Sequence, residues 1–307
     1  MNIKEIAKFV NDEKAAIAFV EGLRWPNGPV CPHCGSCEKV YALEGNTTRA
    51  GLRKCGKCRK QFTVRVGTIF EDSHIPLGKW LYAIFQMCSS KKGVSANQLK
   101  RELGLTYKSA WFLCHRVRLA MSQPPLIGML GSGGKTVEID ETYIGGKVSN
   151  NTRKQRLGSG HVGKAVVMTL IERDGEARTF HTPDARARSL RPVIRIAVSD
   201  TAHVVTDQYQ AYFGIGKHVA SHKVINHSKS YVRGIIHINF AESYHSLLKR
   251  GIFGTFHHVS EKHLSRYLRE FEFKWNSRKV TDGERTSNAI RGALGKRLMY
   301  KTPLSSN

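Results

Sequence analysis

Acidic residues are scarce in this sequence. Its 307 residues include 24 Asp and Glu against 49 Lys and Arg, which gives a formal net charge of +25. An excess of one sign this large repels itself unless a polyanion neutralises it, and nucleic acid is the usual polyanion. The composition therefore favours a nucleic-acid-binding protein over a soluble protein that is merely basic.

Long apolar runs are also missing. No stretch approaches the ~18 apolar residues that a membrane-spanning helix needs. The first 23 residues mix acids and bases at helical spacing, where a signal peptide would have an apolar centre. We therefore expect no contact with a membrane and a cytoplasmic protein, associated with the nucleoid when it is bound to DNA.

Cysteine is infrequent and concentrated, because five of the seven cysteines lie between residues 31 and 58. An odd count without an export signal argues against disulfides and favours metal thiolates. Cys31-x2-Cys34 and Cys55-x2-Cys58 have the spacing of two zinc knuckles, so we predict a structural zinc ribbon over residues 26–72. Cys37 forms an overlapping pair with Cys34, but the two matching turn sequences favour Cys31 and Cys34.

Helical patterns flank the predicted ribbon. Residues 1–25 have the apolar spacing of one or two amphipathic helices, and residues 73–122 predict a helix-turn-helix-like segment. In that segment Ser95 and Thr106 are the expected N-caps, and Gly104 the turn between the last two helices. A generic helical hairpin explains the same pattern without DNA. If the segment binds DNA, the candidate contacts are Lys108, Ser109 and His115.

Proline and glycine cluster at residues 123–136, which predicts a linker. Residues 137–280 then show three strands, with a hairpin turn at Asp174-Gly175, followed by helix, strand, helix, strand and helix. That order is typical of a ribonuclease-H-like domain. The predicted fold class is therefore a multidomain α+β protein: zinc ribbon, helix-turn-helix-like helices, and a C-terminal ribonuclease-H-like α/β domain. Residues 281–307 are polar and basic, and we expect a partly ordered tail.

Three acids in the predicted domain suggest a second metal site. Asp140 lies on the first strand, Asp207 at the end of the fourth, and Glu242 near the start of a later helix. Such a fold would bring them to one cleft, where they could hold two Mg²⁺ or Mn²⁺ ions for phosphoryl transfer. Taken singly, each has another explanation, since helix capping or an ion pair accounts for one acid equally well.

Two neighbouring acids compete for the same role. Alternation along the strand places Glu138 on the same face as Asp140, where it could assist, and directs Glu141 to the opposite face.

The motifs VEIDETYIGGK, VVTDQYQAY and HINFAESYHSLLKRGIFGTFHH, together with CPHC and CGKC, resemble the bacterial ISXO2-like insertion-sequence transposases. Members of that family join a zinc ribbon to a DDE integrase-type domain. The resemblance covers residues 10–280 and implies that Asp140, Asp207 and Glu242 are the metal-binding triad. It also implies an auxiliary role at the scissile phosphate for Lys249, two helical turns after Glu242. Some members carry Asn at the third acidic position, which keeps Asn239 as an alternative.

The leading hypothesis is a DDE transposase that binds terminal inverted repeats and catalyses Mg²⁺-dependent DNA cleavage and strand transfer. Its expected partners are double-stranded DNA, both transposon end and target, and further copies of itself. A metal-dependent nuclease on the same fold and a non-enzymatic zinc-ribbon regulator are the alternatives. Besides Lys249, the candidate phosphate contacts near the triad are Arg250, His257 and His258.

Overall fold

The chain crosses between two structural units twice. A computed structural model describes residues 2–123, 128–145, 163–226 and 234–299. The first unit comprises residues 1–122 together with 279–307, and the second comprises residues 123–278. Parts of the predicted linker (124–127) and of the predicted tail (300–307) lie outside the described residues.

The first unit begins with two capped helices, α1 (Ile3–Asn11) and α2 (Glu13–Arg24). Asn2 and Glu5 form a reciprocal capping box, and the Asp12 carboxylate accepts a hydrogen bond from the Ala15 backbone N–H at 2.9 Å. These caps satisfy N–H groups that have no partner inside the helix, so both predicted N-terminal helices form.

A small antiparallel sheet follows. Its strands are β1 (Val40–Ala42), β2 (Arg53–Cys55) and β3 (Gln61–Phe62), in the order β1-β2-β3. Val40 pairs with Cys55 and Arg53 with Phe62. The strands are short, as in a ribbon whose stability comes from a metal more than from a hydrophobic core.

Three helices complete the predicted helical segment: α3 (Leu77–Ser89), α4 (Ala96–Leu103) and α5 (Tyr107–Met121). The Ser95 and Thr106 side chains cap α4 and α5, as predicted. Gly104 ends α4 with a φ of 61°, a left-handed conformation that glycine adopts without strain.

Residues 281–307 were expected to form a partly ordered tail, but they contain helix α9 (Asp282–Arg291). Thr281 caps this helix, and acids at 282 and 284 suit its positive N-terminal end. The helix packs against α2, α3 and α5, with Ala289 and Ile290 buried. Few apolar residues interrupt this polar stretch, so its packing face is inconspicuous in the sequence.

The second unit is built on a five-stranded sheet with the order β6-β5-β4-β7-β8. The strands are β4 (Thr136–Ile144), β5 (Ala165–Glu172), β6 (Ala177–Thr182), β7 (His203–Asp207) and β8 (Ser221–Ile225). β4, β5 and β6 pair antiparallel, whereas β7 and β8 add in parallel on the other side of β4. This topology confirms the ribonuclease-H-like fold.

Helices cover both faces of that sheet. On one face α6 (Ala187–Ala197) shares a core with Ile139, Leu170 and Tyr212. On the other, α7 (Asn239–Gly251), a π-helical turn (Ile252–Phe256) and α8 (Glu261–Asn276) enclose a second core. Because both faces are covered, the central strands are almost entirely buried.

The end of the predicted linker belongs to this unit. Leu130 is 3% exposed, joins the core beneath α6 and forms a parallel β-bridge with Val198. Apolar burial therefore fixes residues that a Pro- and Gly-rich composition had suggested were a spacer. Among the helices of the described ranges, none is both long and apolar enough to cross a membrane.

Gly78 in α3 provides a test of the packing between α1 and α3. A Cβ at this position would overlap the carbonyl oxygen of Phe9 in α1, whereas one at Gly22 in α2 meets nothing within 4 Å. We expect Gly78→Ala to lower the free energy of unfolding by about 1–3 kcal/mol or more. The matched Gly22→Ala should raise it by about 0.5–1 kcal/mol. Urea unfolding followed by circular dichroism measures both, and equal effects would contradict the described packing.

Candidate metal centres and the residues around them

Four cysteine sulfurs meet at one point of the ribbon. The Sγ atoms of Cys31, Cys34, Cys55 and Cys58 all lie within 4.8 Å of one another. The Cys31–Cys58 and Cys34–Cys55 sulfur separations are 3.7 Å and 3.6 Å. A tetrahedral site with Zn–S bonds of ~2.3 Å requires sulfurs about 3.8 Å apart, so the four thiols fit a structural Zn²⁺.

The knuckle backbone favours thiolate. The backbone N–H groups of Cys58 and Lys57 lower the pKa of the Cys55 thiol to about 7, against the effect of desolvation. The backbone N–H of Ser36 lowers the pKa of the Cys34 thiol, but desolvation and the other three thiols outweigh it and raise that pKa to about 11. Zinc binds thiolate, so the backbone favours the metal-binding form at Cys55. Cys37 is exposed and lies outside the four-sulfur cluster, as the turn sequences predicted.

The ribbon is joined to α2 by an ion pair and by ring packing. Arg53 donates two hydrogen bonds to the Glu21 carboxylate, at 2.9 Å and 2.7 Å. The Trp25 and Phe62 rings pack edge to face with centroids 5.9 Å apart. A bidentate pair and an aromatic contact give this small sheet support that its own short strands cannot.

The first two predicted acids lie side by side in the second unit. Ile139 in β4 pairs with Thr206 in parallel β7, so Asp140 and Asp207 are the next residues on adjacent strands. Val205 has the same strand face as Asp207 and packs on Ala241 of α7. Both carboxylates therefore belong to the face of the sheet that α7 covers.

Glu242 lies in the first turn of α7 and is exposed. It is three residues before His245, and residues so spaced are neighbours on a helix surface. Because His245 contacts Asp140, the N-terminal half of α7 lies near that aspartate. Asn239, also exposed, is the first residue of α7.

Glu138 has a different role from the one considered for it, because it holds the N-terminus of α7. Its fully buried carboxylate accepts the backbone N–H groups of Phe240 (2.9 Å) and Ala241 (3.2 Å). Arg173 donates its Nε–H to the same carboxylate at 2.8 Å. The N-cap residue of α7, Ile238, offers no side-chain cap, so Glu138 supplies one from β4.

Arg173 extends this contact to the segment before α7. Its two terminal nitrogens donate to the carbonyl oxygens of Ile235 and His237, at 2.8 Å and 2.9 Å. One guanidinium thus joins the strand that carries Asp140 to the chain that leads into the helix carrying Glu242.

His245 is buried against Asp140. Its Nδ1 lies 3.3 Å from Asp140 Oδ2, and its Nε2 lies 2.9 Å from the Thr169 hydroxyl oxygen. No role for His245 was predicted from the sequence. Its position four residues after the buried Ala241, on the sheet-facing side of α7, was the available signal.

Glu141 was set aside as pointing away, and it does lie on the opposite face, where Tyr212 donates to it at 2.5 Å. Burial, helped by the charges of Asp140 and Asp207, raises the pKa of Glu141 to about 7, although the Tyr212 hydrogen bond opposes the shift. The repulsion indicates that negative charge accumulates around Asp140, in the middle of β4, and Asp207, at the end of β7.

The negative charge near Asp140 and Asp207 is relevant to whether these acids can bind a metal ion. Carboxylate oxygens are the ligands that Mg²⁺ and Mn²⁺ prefer, and a divalent cation would offset the repulsion among them. The three carboxylates therefore fit a divalent cation both as oxygen ligands and in their charge. In the part of the chain that the structure describes, however, the four cysteines are the group gathered at metal-binding distance, and the three acids are not gathered to that degree.

Most of the predicted phosphate contacts are accessible. Near α7 these are Lys249, Arg250, His257 and His258, and on α5 Lys108 is exposed while Ser109 is half-buried beside its capping residue. The prediction that His115 contacts DNA is wrong. It is 0% exposed and packs on the Trp111 ring at 4.1 Å, so it cannot enter a DNA groove.

Fold and sites together define a class: a four-cysteine zinc ribbon combined with a ribonuclease-H-like domain that presents paired acids. Residues 131–276 match the family model described as the ISXO2-like transposase domain, and residues 11–61 match the transposase zinc-ribbon domain. The chain belongs to this family of zinc-ribbon DDE transposases.

Two similar proteins extend the comparison. The chain is 28% identical over 285 residues to an uncharacterized protein in transposable element ISH50 of Halobacterium salinarum, covering 88% of this chain and 92% of that relative. That relative is archaeal, so the resemblance reaches beyond bacterial elements. A chain of the simian T-cell lymphotropic virus intasome in complex with PP2A regulatory subunit B56 gamma aligns at 16% identity, with a TM-score of 0.28, over 57% of this chain and 63% of its own.

The zinc ribbon yields a direct prediction. We expect one zinc per chain in the purified protein, measured by inductively coupled plasma mass spectrometry. Cys55→Ser should lose that zinc and unfold the ribbon, because three thiolates bind far more weakly than four. Cys37→Ser is the matched control, since its sulfur lies outside the cluster. Full zinc content in Cys55→Ser, or its loss in Cys37→Ser, would contradict the assigned ligands.

Proposed function

We propose that this protein is a DDE transposase that cuts DNA at the ends of its element and joins them to a target. The observation that carries the proposal is that Asp140 and Asp207 lie side by side on adjacent parallel strands, on the face of the sheet that α7 covers. Each directly follows a residue of the paired positions Ile139 and Thr206. Glu242, in the first turn of α7, is the proposed third ligand. Membership of the transposase family supports the same conclusion.

In this proposal the three carboxylates hold two divalent cations and face the scissile phosphate. Two bound Mg²⁺ ions would activate the attacking oxygen and stabilise the leaving oxygen of an in-line displacement. The attacking oxygen is first that of water and then the 3′-hydroxyl of the cut end. No covalent bond between protein and DNA forms, so a nucleophilic side chain is not required.

The basic residues around the cleft would hold the DNA backbone. Lys249 is seven residues after Glu242, two helical turns along the same face, and is exposed. With Arg250, His257 and His258 it would contact phosphates on one side of the cut. Lys108 and Ser109 on α5, with the zinc ribbon, are proposed to recognise the terminal repeat. Two ends must be joined in one reaction, so we propose that several copies assemble on DNA.

The test uses a labelled duplex that carries the inverted repeat flanking the gene, a supercoiled target and Mg²⁺. Wild-type protein should release the 3′ end and join it to the target. Asp140→Asn, Asp207→Asn and Glu242→Gln should each lower both steps by about a thousandfold or more, since each removes part of the metal site. Asp200→Asn is the control, because Asp200 is exposed and lies outside the cleft.

The products distinguish the alternatives. Cleavage without joining would indicate a nuclease, and binding of the duplex by anisotropy without either reaction would indicate a regulator. Activity retained in Glu242→Gln but lost in Asn239→Ala would assign the third position to Asn239.

A further inference from the structure

We infer that His245 is a positioning residue that orients the Asp140 carboxylate for metal binding, and that the Thr169 hydroxyl holds the His245 ring in the orientation this requires. This inference rests on the proposed function, because it concerns the same cleft. It assigns a task to two buried polar residues that the proposed reaction does not otherwise use.

The contact is built on three elements. Asp140 in β4 and Thr169 in β5 are directly paired across the sheet, and His245 of α7 lies over that pair. The imidazole reaches both partners, at 3.3 Å to Asp140 Oδ2 and 2.9 Å to Thr169 Oγ1. His245 is 6% exposed and Thr169 0% exposed, so water does not compete freely for these bonds.

The hydrogen-bond chain has one direction. An ionised carboxylate only accepts, so Nδ1 of His245 must carry the proton that bonds to Asp140. In the neutral ring Nε2 is then an acceptor, and the Thr169 hydroxyl is the group positioned to donate to it. The aspartate therefore sets the tautomer, and the Thr169 hydroxyl, which can donate to Nε2, holds the ring in that tautomer.

Both oxygens of Asp140 are consequently restrained. Oδ2 faces His245, and Oδ1 accepts the backbone N–H of Glu141 at 2.9 Å. Each oxygen has a second lone pair available, so the restraint leaves Asp140 able to bind a cation while limiting its rotation. Outer partners of this kind are typically worth 10–100-fold in metal affinity.

The test measures Mn²⁺ binding by the full-length, zinc-loaded protein, using electron paramagnetic resonance to count free Mn²⁺. His245→Phe keeps a ring but loses the donor, and its dissociation constant should rise about 10–100-fold. Thr169→Val keeps the shape but loses the hydroxyl, and its constant should rise about fivefold. His245→Asn places an amide N–H near the position of Nδ1 and should restore most of the affinity.

Two further variants make the result decisive. Tyr244→Phe alters the adjacent buried residue of α7 without touching Asp140 and should bind Mn²⁺ like the wild type. Asp140→Asn marks the loss of the site, and if it binds as the wild type does, the proposed metal cleft itself fails. If Asp140→Asn loses binding while His245→Phe and Thr169→Val retain it, the positioning role is overturned.

Should His245→Phe not fold, Thr169→Val and His245→Asn decide between the outcomes. Weaker Mn²⁺ binding by Thr169→Val together with near-normal binding by His245→Asn supports the inference. Wild-type affinity for Mn²⁺ in Thr169→Val contradicts it. A merely structural role would lower the melting temperature without this dependence on the donor.

Discussion

The buried carboxylate of Glu138 is the contact on which the proposed cleft depends. It takes the place of an N-cap for α7, and it lies two residues before Asp140 on the same strand. Strand alternation therefore directs the residue that holds the helix and the residue proposed to hold metal to one face of the sheet. The attachment holds the N-terminal end of the helix that carries Glu242 and His245.

A buried negative charge is tolerated only when it is fully partnered. Glu138 has Arg173, the nearby His237 ring and two helix N–H groups as partners. A similar contact occurs in the first unit, where the Glu13 carboxylate accepts the backbone N–H groups of Leu77 and Gly78, the first residues of α3. In both units a glutamate from another element caps a helix that has no side-chain cap of its own, so helix position is set by tertiary contact.

Local signals predicted much of the architecture. Cysteine spacing located the ribbon, the Ser95 and Thr106 caps located two helices, and strand order indicated the ribonuclease-H-like fold. The sequence did not predict the contact between Glu138 and the N-terminus of α7, nor the burial of His115. Both depend on which distant residues meet after folding. Helix α9 was missed for a related reason: a helix with so few buried residues has almost no apolar periodicity.

The central claim is that Asp140 in the middle of β4 and Asp207 at the end of β7, with α7 above them, form a divalent-metal cleft. The most direct measurement is an anomalous difference map from crystals of the protein soaked in Mn²⁺. The account predicts a peak bounded by Asp140 and Asp207, with Glu242 or a water that it holds completing the coordination. Peaks confined to other parts of the surface, with both aspartates unligated at saturating Mn²⁺, would contradict it.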